Sequence, residues 1–157
     1  MTWIVLADGD GLGEAIARRL AAGGDRPVVV RRGDRFLAGD DGRRFTVRPA
    51  HREDFDQLLH RAAAAVAPLR GVLHLWALDA PAARELTPSG LAAARPLVCD
   101  SAVALFQALI DAPTGRPVLW FFTRGAQRVR ESDEIQPAQT PLWGLARGVG
   151  HMEHRGL

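Results

Sequence analysis

Short apolar runs alternate with longer amphipathic stretches along this chain. Ile4-Val5-Leu6, Val28-Val29-Val30, Phe45-Thr46-Val47, the run from Gly71 to Trp76 and the run from Val118 to Phe122 each suit a buried strand. Between them the spacing turns helical. Leu12, Ile16 and Leu20 fall on one face, with Glu14 early and Arg18 and Arg19 late, as the helix dipole favours. Gly23-Gly24-Asp25 ends that helix. A second helix is predicted from Arg52, with Phe55, Leu58, Leu59, Ala62 and Val66 as its apolar face. Ala80 to Pro88 reads as a loop that could hold a short helical turn, and a longer helix is predicted from Leu97 to Ile110. Thr140 is expected to cap a last helix that starts at Pro141 and carries Leu142, Leu145, Val149 and Met152 on one stripe.

Strands that alternate with helices, and strand cores that are nearly all apolar, favour a parallel sheet covered on both faces. The expected fold class is α/β, a truncated Rossmann-like parallel sheet with helices on both faces, forming one domain over residues 1–157. It is expected to be truncated because the last helix reaches almost to Leu157 and leaves no room for another strand.

Composition narrows the function classes. A hydrophobic share of 47% is that of a globular chain. The net charge of +2 is too mild to argue for nucleic acid, and no dense arginine run is interleaved with aromatics. No apolar run is long enough to suggest a membrane span, and Trp3-Ile4-Val5-Leu6 follows the first two residues with no leader pattern. Cys99 is the lone cysteine and cannot form an internal disulfide, so a reducing, cytoplasmic setting is expected.

The segment LADGDGLGEA follows a strand and opens a helix, the context of a nucleotide-binding turn. A Rossmann fingerprint begun at Gly9 finds Gly11 but ends on Glu14, whose carboxylate would repel a pyrophosphate. The short-chain reductase pattern begun at Leu6 finds Gly11 and Gly13 but has Ala7 where a glycine belongs. Tight turning and close helix–strand packing explain such a loop as well. Arg31 and Arg32, at the end of the second strand, could read a 2′-phosphate or be a solvated pair. Gly9, Gly11, Gly13 and Arg31 are thus the alternative cofactor-binding set. The expectation is that no residue of this chain binds a cofactor.

Hydride transfer to a carbonyl in the reductase manner needs a phenol, a nearby cation and a helping hydroxyl. The chain has no tyrosine, and its basic residues are all arginine. Thr123 and Arg124 stand where such enzymes carry a serine, Trp143 where the tyrosine would be, and Arg147 four residues on. An indole cannot deliver a phenolic proton, so Trp143 reads as a core or interface packing residue and no residue is expected to be catalytic. Cys99 reads as a packing residue near a helix start, and His74 as a satisfied core or strand-end histidine. His151 and His154 flank Glu153 without further metal ligands in view, and no metal is expected.

TWIVLADGDGLGEAIARRL, HLWALDAP, and above all WFFTRGAQRV followed by QTPLWGLARGVGHMEH carry a family resemblance. Nearly the whole chain resembles the structural subdomain of ketoreductase domains in modular type I polyketide synthases, which are short-chain dehydrogenase/reductase-like. The resemblance implies a unit that binds no cofactor and braces a second, catalytic subdomain. That second subdomain, in cis or in trans within a larger synthase assembly, binds NADPH and reduces β-keto groups on an acyl carrier protein. Thr123, Gly125, Trp143 and Gly144 match family landmarks of packing, and Trp76 and Leu78 are expected in the same framework. Arg155-Gly156-Leu157 departs from the family pattern. The expected function is therefore structural, not enzymatic, for the chain by itself; the alternative is a small NADP-binding reductase-like protein.

Overall fold

The computed structural model describes residues 1–63, 68–113, 115 and 117–148. Strands β1 (Thr2–Leu6), β2 (Arg26–Arg32), β3 (Leu37–Ala38), β4 (Arg44–Val47), β5 (Leu69–His74) and β6 (Val118–Phe121) form one sheet in the order β3-β4-β2-β1-β5-β6. All neighbours are parallel except β3, which pairs antiparallel with β4 through Leu37↔Thr46 and Ala38↔Phe45. The sheet is therefore mixed rather than purely parallel. Two exposed residues between Gly33 and Gly39 are too few to show a strand period, so β3 is silent in the sequence.

Side-chain alternation gives the sheet two apolar faces. Ile4, Leu6, Val28, Val30, Phe45, Val47 and Val72 face α2 (Arg52–Ala63) and α4 (Ser101–Asp111), where Phe55, Leu58, Leu59, Leu105 and Leu109 are buried against them. Val5 and Leu73 face the other way, towards α1 (Leu12–Ala22). Helices thus flank both faces of a Rossmann-like α/β sheet. On α1 the buried residues are Gly13 and Ala17, with Ile16 and Leu20 half-buried and Leu12 exposed. The expected stripe through Leu12 is turned because Gly13 draws the helix start onto β1. A Cβ at Gly13 would lie 2.7 Å from Ala7 Cα and 2.8 Å from Ala7 Cβ.

The long helix starts earlier than the sequence suggests. Thr87 Oγ1 accepts the Gly90 amide at 3.0 Å, and Pro88 opens α3 (Pro88–Arg95). A π turn over Pro96–Asp100 then joins α3 to α4. The looser turn accommodates a proline within the helix, where a regular turn would clash with its ring. The whole run, Pro88–Asp111, is long and apolar enough to cross a membrane, yet it contributes core residues on α4 and in the π turn. Strand β5 ends at His74, and Trp76 lies in a 3₁₀ turn (Trp76–Asp79) rather than in the strand. The last helix, α5, spans Thr140–Gly148. Thr140 Oγ1 donates to the Ala126 and Gln136 carbonyls, both at 3.4 Å, instead of capping the helix. Val66, Val149 and Met152 lie outside the described residues.

One ion pair fixes the start of α2. The carboxylate of buried Asp54 accepts from the Arg48 amide at 2.8 Å and from the Arg48 guanidinium at 2.6 and 3.0 Å. These bonds hold the Asp54 carboxyl below the usual carboxylate range, so its contribution is complete above the ordinary value of 3.8 and is lost only as pH falls further. Asp54→Asn keeps the shape but removes the charge, and is expected to cost about 2 kcal/mol in urea denaturation at neutral pH.

Candidate functional site

In an open α/β sheet, ligands lie outside the carboxyl ends of the strands where the strand order reverses. Here that point lies between β1 and β5, and the glycine loop from Asp8 to Gly13 borders it. Gly11 has φ of 91°, so the loop takes the left-handed turn that a glycine allows. The following amides point from the start of α1, as in a phosphate cradle.

Those amides are already partnered within the chain. Asp8 is buried, and its carboxylate accepts from the Gly13 amide at 2.6 Å and the Leu12 amide at 3.2 Å. Asp79, at the end of the 3₁₀ turn after β5, accepts from the Gly9 amide at 2.8 Å. The same Asp79 is ion-paired with Arg32 from the end of β2. One carboxylate thus ties together the exits of β1, β2 and β5. Arg31 is held by Glu14, which accepts from its guanidinium at 2.5 and 3.1 Å. An open groove of about 310 Å³ remains beside Asp8, Glu14, Arg31 and Arg32.

Of the alternative cofactor set, Gly9, Gly11 and Arg31 line this groove, whereas Gly13 is buried against Ala7. The crevice does not fit a pyrophosphate. Carboxylates occupy the Gly9, Leu12 and Gly13 amides, and the two arginines that could neutralise phosphate are engaged with acids. Glu14 reaches away to Arg31, so the carboxylate at the helix start is Asp8, not Glu14. The sequence reading missed Asp8 and Asp79. An aspartate four residues ahead of the first helical residue was a local cue for capping; nothing local pointed to Asp79.

The segment after β6 is tied down by two glutamine side chains. The Arg124 amide donates to Gln139 Oε1 at 2.8 Å, and the Ala83 amide donates to Gln136 Oε1 at 2.7 Å. Gly125, at φ of 66°, lets its backbone pass Glu134; a Cβ there would stand 2.9 Å from the Glu134 carbonyl oxygen. Thr123 is half-buried and Arg124 exposed. Trp143, expected to pack in the core or at an interface, is 47% exposed, and Leu142 is the residue of α5 that fills the core beside Ala77, Val98 and Ala102. Gly144 and Arg147 lie on the exposed side of the same helix. Trp76 is fully buried and Leu78 half-buried, as the framework reading expects.

His74 Nε2 lies 2.8 Å from Ser101 Oγ, whose hydroxyl donates to the Leu97 carbonyl at 2.7 Å. The serine proton is committed, so the imidazole donates through Nε2. Its Nδ1 has no partner among the described residues, which corrects the expectation of a fully satisfied histidine. Burial lowers its pKa to about 4. Cys99 lies inside the π turn, not at a helix start, and burial raises its thiol with Asp100 adding to the effect. It is a packing residue of the cluster around Leu142. His151, Glu153 and His154 lie outside the described residues; among the described residues no cluster of three metal-ligating side chains occurs.

No protein-family profile matches the chain, and no curated protein does. Solved structures do. A keto acid-selecting nonribosomal peptide synthetase module with adenylation, ketoreductase and pseudo-Asub domains matches at TM-score 0.84 and 20% identity, over 96% of this chain and 12% of that one. An N-terminal ketoreductase from the macrolactin assembly line matches at TM-score 0.65 and 19% identity, over 76% of this chain and 24% of that one. A short-chain dehydrogenase/reductase from Serratia marcescens matches at TM-score 0.65 and 15% identity, over 95% of this chain and 70% of that one. The chain therefore spans under a quarter of the length of the two assembly-line proteins, and what it shares with all three is a Rossmann-like α/β fold.

Proposed function

We propose that residues 1–157 form a non-catalytic structural unit that braces an NADPH-dependent ketoreductase subdomain acting on β-ketoacyl chains carried by an acyl carrier protein. The observation that carries this reading is an apolar region at one margin of the sheet that stands exposed among the described residues. Strand β6 is at the end of the sheet, and among the described residues it pairs only with β5. Leu119 and Phe121 turn inward, whereas Val118 is 49% and Trp120 55% exposed on the face that α1 covers only at its other end. A monomeric surface rarely leaves a tryptophan and a β-branched residue side by side on a strand edge without a partner.

Three further points support the reading. The chain has no phenol to protonate a carbonyl, and Trp143 holds the tyrosine's place. The amides of the glycine loop at Gly9 and Gly13 are taken up by Asp79 and Asp8. The solved structures of the same fold include ketoreductases embedded in multidomain assembly lines.

The test is to mix the purified chain with a ketoreductase catalytic subdomain and follow mass by light scattering. A stoichiometric complex is expected, and Trp120→Glu is expected to weaken it by about tenfold or more, equivalent to 1.4 kcal/mol or more, with an unchanged circular dichroism spectrum. Absence of a complex with a folded chain, or NADPH-dependent reductase turnover by the chain alone, sinks the reading.

A further inference from the structure

We propose that Asp8 and Asp79 are a built-in counter-ligand, the pair of carboxylates that keeps NADP-type dinucleotides off this fold. The inference deepens the non-catalytic reading and rests on it for its biological sense, but its geometry stands alone. A pyrophosphate entering the crevice needs the amides at the start of α1. Asp8 already accepts from the Leu12 and Gly13 amides, and Asp79 from the Gly9 amide. Both are part of the chain, so they compete at the effective concentration of an intramolecular ligand, in the millimolar range or above.

Charge acts in the same direction. The groove is lined by the carboxylates of Asp8 and Glu14 and the guanidiniums of Arg31 and Arg32, and Asp79 stands behind it against Gly9 and Arg32. Acids therefore outnumber bases where a dianionic group would have to sit. Removing the charges of Asp8 and Asp79 leaves Glu14 against both arginines, and frees Arg32 for a phosphate. The turn itself is still shaped for a ligand, since Gly11 keeps its left-handed φ and a Cβ there would meet nothing within 4 Å. The carboxylates, not the backbone, are then what closes the loop.

The experiment compares the parent chain with Asp8→Gly/Asp79→Asn by calorimetric titration with NADPH and, separately, with inorganic pyrophosphate. The double variant is expected to bind both probes at least about tenfold more tightly than the parent. Asp8→Ser/Asp79→Asn keeps a side-chain oxygen for the helix start, and serves if the glycine variant does not fold. A folded double variant with no gain for either probe overturns the proposal, as does a parent chain that binds NADPH as tightly as the variant. Partner binding in light scattering reads the structural role separately. Its loss would sink that role while leaving the gain in phosphate affinity as it stands.

Discussion

Trp76→Ala is expected to lower the unfolding free energy by about 3–5 kcal/mol, read as a shift in the urea midpoint with an unchanged slope. Trp76 is fully buried and sits on the first residue of the turn that leaves β5. Its ring stands 6.2 Å from that of Phe55 on α2, and 5.7 Å edge-on from that of His74. The indole therefore ties a helix, a strand end and the 3₁₀ turn into one packing unit. Alanine leaves a void that none of these can fill without moving backbone, and interiors resist such moves. The effect reaches the crevice, because the turn that Trp76 anchors ends on Asp79, the carboxylate shared by Gly9 and Arg32. Trp76→Phe is expected to cost much less. It retains most of the ring and removes an indole N–H that has no partner among the described residues.

Stability is also expected to fall by about 3 kcal/mol as pH is lowered from 6.5 to 4, through His74 alone. The folded-state pKa of this histidine is about 4, against an ordinary value of 6.5, and burial is the cause. In that window the unfolded chain takes up a proton that the folded chain refuses, so the unfolded state gains. Above 6.5 the imidazole is neutral in both states and the contribution is complete. Below 4 both states are protonated and the loss levels off. Denaturation midpoints measured across the window check this, and His74→Gln is expected to flatten the slope. The loss at Asp54 lies at lower pH, because Arg48 holds that carboxyl below its ordinary value. The two groups are therefore separable in one titration.

The strand cores were legible because buried parallel strands are written as apolar runs, and Val28–Val30 or Ile4–Leu6 can be little else. Helix α2 was legible for the same kind of reason, its apolar face recurring at helical spacing. What escaped was structure set by exceptions. Pro96 looks like a boundary in sequence, yet a π turn carries the helix through it. Strand β3 has two exposed residues, and Trp76 continues an apolar run whose backbone has already left the sheet. At the crevice, the glycine spacing announced a nucleotide-type turn, but not what fills it. The Asp8 contacts span four and five residues and were within reach of a capping argument. The Gly9–Asp79 bond joins residues seventy apart, a distance over which one sequence carries no signal.

The two margins of the sheet differ in a way that sets how the chain associates with itself. One margin ends on β3, a two-residue strand followed by Gly39, Asp40 and Asp41, too short and too polar to template another strand. The other ends on β6 with Val118 and Trp120 exposed. Backbone pairing between copies would therefore use β6 on both sides, which makes the contact isologous, with a two-fold axis running between the strands. Among the described residues, such a contact uses the one sheet margin that exposes large apolar side chains on a strand long enough to pair. Sheet pairing through β6 alone would then stop at a closed pair rather than run on into a filament.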